Sequence, residues 1–520
     1  MFWADRITKN ILEAQKGKPI VVRDEKTLSG RVHIGSMRGV AIHGLVSEVL
    51  AEKGVAHEFQ YELNDFDHFD NIPPYLEEET YRAYLGKPLF SVPAPEGSPH
   101  ANFAEHFAAE FISVHEKAGW TPTYYRASEL YRSGAMDTYV RTALLKAEVI
   151  QKIFKEVSGS SKPEGWLPVS VLCEHCGKIA TTTVTDFDGD TVQYVCERSP
   201  DGSLPCGHRG RVAPWKGMAK LTWKVEWAAK WAARKVTVEG AGKDHSTKGG
   251  ARDVAYHIAR EVFQYEPPFD IPYEFFLVGG KKMSSSKGRG SSSKDIADLF
   301  PPEVFRLALL GKDINQAINF DPEGDAVPEL YDWYDTLAIS YFEKKEDDFA
   351  RLFFLVHPAE IRANLKNGFR PRFSQVAFLV QMPHLNFIDE VTLLKGAPLS
   401  DDERHYAEVR AAYAKFWLTT YAPEKYRYVL QETMPEDILL SDVQKTALRA
   451  LHTWFLAHDS ATAEEIHAEL HSYKERFSIT PKELFGGLYG MFLARESGPK
   501  AGWFLSGLPR EFVLSRLSEI

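Results

Sequence analysis

A histidine bracketed by glycines sits where an apolar strand gives way to a helix. The run Ser29-Gly30-Arg31-Val32-His33-Ile34-Gly35-Ser36 follows the strand-like residues 19–23 (Pro-Ile-Val-Val-Arg). It precedes helical spacing through Val40, Leu45, Val49 and Leu50, which stops at Gly54. Glycine at such a junction lets backbone approach a nucleotide closely. A helix N-terminus presents unpaired N–H groups and a positive dipole end to phosphate. An imidazole there can donate a hydrogen bond to a phosphate oxygen as charge builds in a transition state. The plainer alternative is a strand-to-helix turn with a structural histidine.

A second stretch, Lys281-Lys282-Met283-Ser284-Ser285-Ser286-Lys287-Gly288-Arg289-Gly290, places four cations and three hydroxyls in ten residues. It follows an apolar strand, residues 275–278, that ends in Gly279-Gly280. Such a loop suits closure over a triphosphate, neutralising charge while pyrophosphate leaves. Its bland counterpart is a flexible basic linker.

The chain has four cysteines, Cys173, Cys176, Cys196 and Cys206, all in one short stretch. A secreted disulfide scaffold would spread its cysteines along the chain. Cys173-x2-Cys176 has the bite of a zinc knuckle, with Gly177 after that pair and Gly207 after the last cysteine. Four thiolates close the coordination shell, so the expectation is a structural Zn2+. His175 and His208 are near enough to replace one thiolate.

The elements that must position these groups can be read from periodicity. Strand, helix and a second strand at 56–63 make a βαβ unit, the seed of a parallel sheet. Residues 88–99 read as a loop, and 101–157 as helical with one break at Gly119-Trp120-Thr121-Pro122. Strand-like Thr and Val at 181–184 and a turn at Asp188-Gly189 suggest hairpins. Residues 220–235 read as a helix, 236–238 as a strand and 253–265 as a helix. Helices dominate from Pro302 onward. The fold class expected is α/β: a Rossmann-like, doubly wound catalytic domain at 1–345, with a helical and zinc-bearing insertion. That insertion spans about 88–215, with its zinc ribbon at about 166–212, and an all-α unit follows at 346–520.

The 520 residues are 44% hydrophobic and 26% charged, ordinary globular composition for two to four domains. No apolar run reaches the ~18 residues of a membrane span, and the first residues lack a signal-peptide pattern. The expectation is a cytoplasmic protein. A net charge of -10 leaves nucleic-acid binding open without supporting it.

Taken together, the two loops resemble the HIGH and KMSKS signatures of class I aminoacyl-tRNA synthetases, in the right order and each at a strand end. There are departures: Ser36 replaces the last His of the first, Ser285 the middle Lys of the second, and Lys287 comes two places later. HIGS with KMSSSKG resembles the class I lysyl-tRNA synthetase family. So do Glu239-Gly240-Ala241-Gly242-Lys243-Asp244-His245, Thr222-Trp223-Lys224-Val225-Glu226-Trp227 and Tyr131-Arg132-Ser133-Gly134. The resemblance covers about residues 1–340.

The resemblance implies ATP-dependent activation of L-lysine and its transfer to tRNA(Lys), with Mg2+ alongside ATP. His33, Gly35, Ser36, Lys282, Ser284, Ser285, Ser286 and Lys287 would act in catalysis. Gly30, His33, Gly240, Gly242, Asp244 and Met283 would bind ATP, a carboxylate being suited to ribose hydroxyls. Trp223, Glu226, Trp227 and His245 are candidates for lysine, as is Asp24 by position, together with Glu25, Asp65 and Asp67 near the first two strand ends. Helical i, i+4 spacing also fits Trp223, Trp227 and Trp231 to a packed aromatic face. The ligand set for zinc is Cys173, Cys176, Cys196 and Cys206, and zinc-bearing insertions occur in this family. Phe369-Arg370-Pro371-Arg372-Phe373 and Lys425-Tyr426-Arg427-Tyr428 in the tail could serve anticodon bases, as that region does in the family. A monomer is favoured. The alternatives are a class I synthetase for glutamate, cysteine or arginine, a non-catalytic tRNA-binding paralogue, and a simple nucleotidylyltransferase.

Overall fold

The structure, a computed structural model, describes residues 1–280, 292–382 and 385–520. Its strands are β1 (Ile20–Thr27), β2 (His57–Asn64), β3 (Thr123–Arg126), β4 (Val169–Val171), β5 (Thr182–Phe187), β6 (Val192–Cys196), β7 (Arg209–Val212), β8 (Ala219–Leu221), β9 (Val238–Gly242), β10 (Phe269–Tyr273), β11 (Phe276–Val278) and β12 (Ile318–Phe320). Five of them form one parallel sheet in the order β10-β9-β1-β2-β3. The Ile-Val-Val start of β1 is buried, as a central parallel strand requires.

Side-chain alternation along β2 shows how the sheet is covered. Tyr61 meets Phe111 and His115 of the helix Phe103–Lys117 at ring separations of 6.1 and 4.9 Å. Its neighbour Glu62 bonds instead to Lys230 of the helix Trp223–Arg234. Successive strand residues point to opposite faces, so helices cover both. Asp24, paired with Tyr61 in register, faces His43 of the helix Met37–Glu52. The sheet is doubly wound, as expected.

The chain lays down β1, β2 and β3 in one direction, then returns to place β9 on the other side of β1. That reversal makes the β1–β9 boundary a topological switch point, where a crevice opens beyond the carboxyl ends of the strands.

Two strands of this sheet escape a reading by periodicity. β3 occupies the break inside the helical stretch 101–157 and lies within the interval 88–215. It is four residues long and at the sheet edge, too short to display alternation. β10 contains Pro272, which reads as a loop, but an edge strand tolerates the missing N–H. β11 pairs with β12 in a separate two-stranded sheet.

The cysteine-bearing stretch is a three-stranded antiparallel ribbon, β5-β6-β7, beside the antiparallel pair β4-β8. The chain divides into two compact units, residues 1–321 with 336–365, and residues 322–335 with 366–520. The second is helical, around a core that includes Leu448, Leu451, Phe455, Leu470, Leu488 and Phe492. Among the described residues, no helix is long and apolar enough to cross a membrane.

Arg306, on the helix Pro302–Leu310, shows how the first unit is tied together. Its guanidinium donates to both oxygens of Glu48, at 3.0 and 2.7 Å, and to the carbonyls of Ala118 and Leu355, each at 2.8 Å. Without it Glu48 keeps only Arg362 as an ion-pair partner and the Ala118 carbonyl loses its side-chain donor, at a cost of about 1–3 kcal/mol. Arg306→Leu is therefore expected to lose stability of that order in urea unfolding. A loss below about 1 kcal/mol would contradict this role.

Candidate active site

At the carboxyl ends of β1, β9 and β10 lies a cleft of ≈ 310 Å³. β1 contributes Asp24, Glu25 and Lys26, and the following turn His33, Gly35 and Ser36. β9 and the residues after it contribute Glu239, Gly240, Ala241, Gly242, Asp244 and His245. Trp223 and Trp227 form one side, and Tyr273, Phe275 and Phe276 another. Segments 200 residues apart thus converge at the switch point.

His33 caps a short 3-10 turn, Ile34–Ser36, that runs into the helix Met37–Glu52. The helix N-terminus therefore opens at the cleft, where its N–H groups and dipole favour an anion. Gly35 is required by close approach: a Cβ there would stand 2.9 Å from His33 Nδ1 and 3.3 Å from the Phe276 carbonyl.

Lys282, Met283, Ser284, Ser285, Ser286 and Lys287 lie outside the described residues. The residues on either side of that stretch both abut the His33 turn. Before it, Phe276 lines the cleft, and the Gly280 N–H donates to Asn319 at 2.7 Å. After it, Ser292 forms an antiparallel bridge with His33, and the Ser293 N–H donates to the Val32 carbonyl at 2.7 Å.

On the β9 side, Gly240 has no room for a side chain, since a Cβ would fall 2.4 Å from the Ile271 carbonyl. Its N–H donates to His43 Nε2 at 2.7 Å. The His43 proton therefore sits on Nδ1, directed at the Gly39 carbonyl 2.7 Å away, with Asp24 at 3.3 Å. The glycine strand end is thereby fixed to the helix that begins at the His33 turn.

Trp223 and Trp227 stack with ring centroids 6.3 Å apart and planes within 11°. His245 meets both edge-on, at 5.7 and 6.0 Å. Together these rings make an aromatic wall open to the cleft, able to receive a cation or an aliphatic chain.

Beneath the cleft runs a network of buried charge. The Arg23 guanidinium bonds Glu25 on its own strand, Glu62 of β2 at 2.7 Å and Glu239 of β9 at 2.6 Å. Its Nε donates to Tyr125 of β3 at 2.8 Å. Lys230 bonds Glu62 and lies 3.2 Å from Glu226, while Lys220 bonds Glu226 at 2.6 Å and Asp67 at 2.7 Å. Trp227 and Trp231 both donate their indole N–H to Glu239. Burial alone would raise the Glu62 carboxyl, but Lys230 and Arg23 more than offset it and hold the group down at about 2.

Of the residues singled out from sequence, His33, Gly35, Ser36, Asp24, Glu25, Trp223, Trp227, Gly240, Gly242, Asp244 and His245 share this cleft. Glu226 does not: it is buried between Lys220 and Lys230 and does not line the cleft. Gly30 lies in the turn with φ 140 but outside the lining. Asp65 is used internally, accepting from the Ser128 N–H and hydroxyl, and Asp67 serves Lys220 and Thr27. Arg23, Lys26, Glu62, Lys230, Glu239 and Tyr273 were not foreseen in or beneath the cleft. The signal available was three charged residues in a row, Arg23-Asp24-Glu25, at the end of an otherwise apolar central strand. In the second unit, Phe373 stacks on Tyr331 at 4.2 Å and Tyr428 packs against Phe378, so those two rings are spent on packing.

The four cysteine sulfurs lie within 4.8 Å of one another. Cys173 and Cys206 are 3.6 Å apart, and Cys176 and Cys196 3.8 Å. These separations match the ~3.8 Å edge of a tetrahedron with Zn–S bonds near 2.3 Å, and are far beyond a disulfide's ~2.05 Å. The Thr181 hydroxyl and the Cys206 N–H both approach the Cys196 sulfur, at 3.1 and 3.4 Å, as donors to a thiolate would. The donor set fits zinc. Neither His175 nor His208 is in the cluster.

The family described as tRNA synthetases class I (K) matches residues 1–359. A lysine–tRNA ligase of Methanosarcina barkeri is 34% identical, with 99% of this chain and 97% of that protein covered. Lysine–tRNA ligase 1 of Methanosarcina acetivorans is 35% identical over 100% of this chain and 98% of its own length. The lysine–tRNA ligase of Archaeoglobus fulgidus is 32% identical, with 99% of each covered.

The buried network has a pH signature. A carboxyl held below its usual value stabilises the fold above the unfolded value of about 4.3. That contribution is lost as pH falls towards about 2. Glu62→Gln is thus expected to be less stable than the parent at pH 7 by roughly 3–5 kcal/mol, with the gap narrowing on acidification. Urea unfolding at several pH values checks this, and an unchanging gap down to pH ~3 would contradict it.

Proposed function

The chain belongs to the class I (K) tRNA synthetases, and we propose that the cleft at the β1–β9 boundary is the site where it activates its amino acid. The chain is a lysine–tRNA ligase: it converts L-lysine and ATP to lysyl-adenylate and passes the lysyl group to tRNA(Lys). The observation that carries the site assignment is the meeting of His33, Gly35 and Ser36 with Gly240, Gly242 and Asp244 around one crevice.

In the first step a lysine carboxylate oxygen attacks the α-phosphorus of ATP, and the bond to pyrophosphate breaks. His33 donates a hydrogen bond to the phosphate oxygens as charge builds, at the turn that leads into the helix Met37–Glu52, whose dipole favours an anion. The Gly240–Gly242 backbone lies against the nucleoside, and the Asp244 carboxylate accepts from ribose hydroxyls. Lys282, Ser284, Ser285, Ser286 and Lys287 clamp the triphosphate, a role supported by the closeness of Phe276 and Ser292 to the His33 turn. Mg2+ bound to the incoming ATP would supply charge neutralisation on its phosphates. Trp223, Trp227 and His245 enclose the lysine side chain, with Asp24 at the floor. In the second step a terminal ribose hydroxyl of tRNA attacks the carbonyl carbon, and AMP leaves. The helical unit reads the anticodon, and the reaction runs in the cytoplasm.

Cys173, Cys176, Cys196 and Cys206 hold a structural Zn2+ that organises the β5-β6-β7 ribbon. Four thiolates leave no open position, so its chemistry is cross-linking rather than catalysis.

ATP–pyrophosphate exchange tests the reading. Lysine should drive it, and glutamate, cysteine and arginine should not; exchange driven by one of those instead of lysine would overturn the assignment. His33→Ala should slow lysine-dependent exchange about 100- to 1,000-fold while changing the KM for lysine little. For the ribbon, metal analysis should find close to one zinc per chain. In Cys176→Ser the zinc should fall sharply and the melting temperature with it, as expected when metal binding contributes to folding. A zinc-free parent protein would refute the site.

A further inference from the structure

An ammonium brought into a cleft of this size loses much of its hydration and needs an anion in contact. Four carboxylates line the walls: Asp24, Glu25, Glu239 and Asp244. Both oxygens of Glu239 are occupied, by Arg23, Trp227 and Trp231. Asp24 accepts the Glu25 N–H with Oδ1, and its Oδ2 is tucked against the Met37–Glu52 helix, 3.3 Å from His43. Asp244 is 44% exposed, at the rim. Glu25 differs from all three. Its Oε2 is held by Arg23, its Oε1 makes no hydrogen bond among the described residues, and its side chain is 26% exposed in the cleft.

The charges linked to it are unbalanced. Five carboxylates, Glu25, Glu62, Glu226, Glu239 and Asp67, share three cations, Arg23, Lys220 and Lys230. An incoming cation relieves that excess; Glu226 also has an oxygen without a hydrogen bond, but it is buried away from the cleft, whereas that of Glu25 is in the cleft wall.

We propose that Glu25 is the specificity-determining residue of the cleft, its open carboxylate oxygen accepting the side-chain ammonium of the substrate while Arg23 fixes the other. This rests on the lysine assignment made above. Selection is then electrostatic: an isosteric side chain without the ammonium leaves the second Glu25 oxygen desolvated with no partner, while lysine pairs it.

Proton linkage follows. Burial pushes the Glu25 carboxyl up to about 7, against the pull of Arg23 on its own strand and Lys230 on the helix Trp223–Arg234, with Glu62 of β2 and Glu239 of β9 adding to the rise. An ammonium favours the ionised carboxylate, so lysine binding near or below that pH drives a proton from Glu25 to solvent. Lysine affinity weakens as pH falls through about 7.

Glu25→Gln keeps the shape and an acceptor for Arg23. In lysine-dependent exchange at pH ~8 its KM for lysine should rise at least about tenfold, with kcat and the KM for ATP within about threefold. The preference for lysine over norleucine, which lacks the ammonium, should fall by a similar factor. Calorimetry of lysine binding to the unmodified protein at pH ~6.5, in buffers of different ionisation enthalpy, should show release of more than about half a proton. That experiment needs no variant to fold. A Glu25→Gln protein that melts with the parent, exchanges lysine with KM within about twofold and keeps its norleucine discrimination would overturn the proposal while leaving the lysine assignment standing. Proton release of less than about a tenth on binding to the unmodified protein would also overturn it. Lack of any lysine-dependent exchange in the unmodified protein would instead remove the reading beneath it.

Discussion

A guanidinium in the middle of a parallel sheet is the constraint on which this cleft depends. Arg23 sits on the central strand with no exposure and bonds carboxylates from its own strand and from both neighbours. Burying so many charges is tolerable only if nearly every one is paired and hydrogen-bonded. The arrangement therefore tolerates little slippage of β1 against β2 and β9, because a one-residue shift would turn Glu62 or Glu239 to the opposite face. The strand ends that bound the cleft are held in place from below.

That rigidity passes to the rest of the site through a few contacts. Glu239 takes the indole N–H of Trp227 and of Trp231, so the aromatic wall is fixed by the same carboxylate that pairs with Arg23. On the opposite face of the sheet, His43 holds the Gly240 N–H and links the glycine strand end to the helix that starts at the His33 turn. The glycine strand end and the aromatic wall are thus anchored on opposite faces of one sheet, at the point where its winding reverses.

Much of the plan was legible in the sequence, and the gaps have physical causes. His33-Ile34-Gly35-Ser36 and Gly240-Ala241-Gly242 stand out because glycines at strand ends are constrained by local geometry, which sequence displays directly. The cysteine cluster shows itself through spacing. β3 and β10 do not, since short edge strands rely on neighbours for their pattern and admit residues such as Pro272 that a central strand excludes. Glu226 was misplaced because a charged residue beside Trp223 and Trp227 looks like part of their wall. Its actual partners, Lys220 and Lys230, lie one strand end and one helical turn away. The Arg23 network leaves only a faint trace, Arg23-Asp24-Glu25 at the end of an apolar strand: charge within a strand reads as exposure, and the tertiary arrangement is what reveals three strands pairing their charges inside the sheet.

The central claim is that one cleft at the β1–β9 boundary holds both halves of an aminoacyl-adenylate. A crystal structure of the protein with a sulfamoyl analogue of lysyl-adenylate would test it most directly. The account places adenosine against the Gly240–Gly242 backbone, the sulfamoyl group facing His33, and the side-chain ammonium within about 3 Å of Glu25. An analogue bound elsewhere on the chain, or seated in the cleft with its ammonium turned away from Glu25 towards solvent, would contradict it.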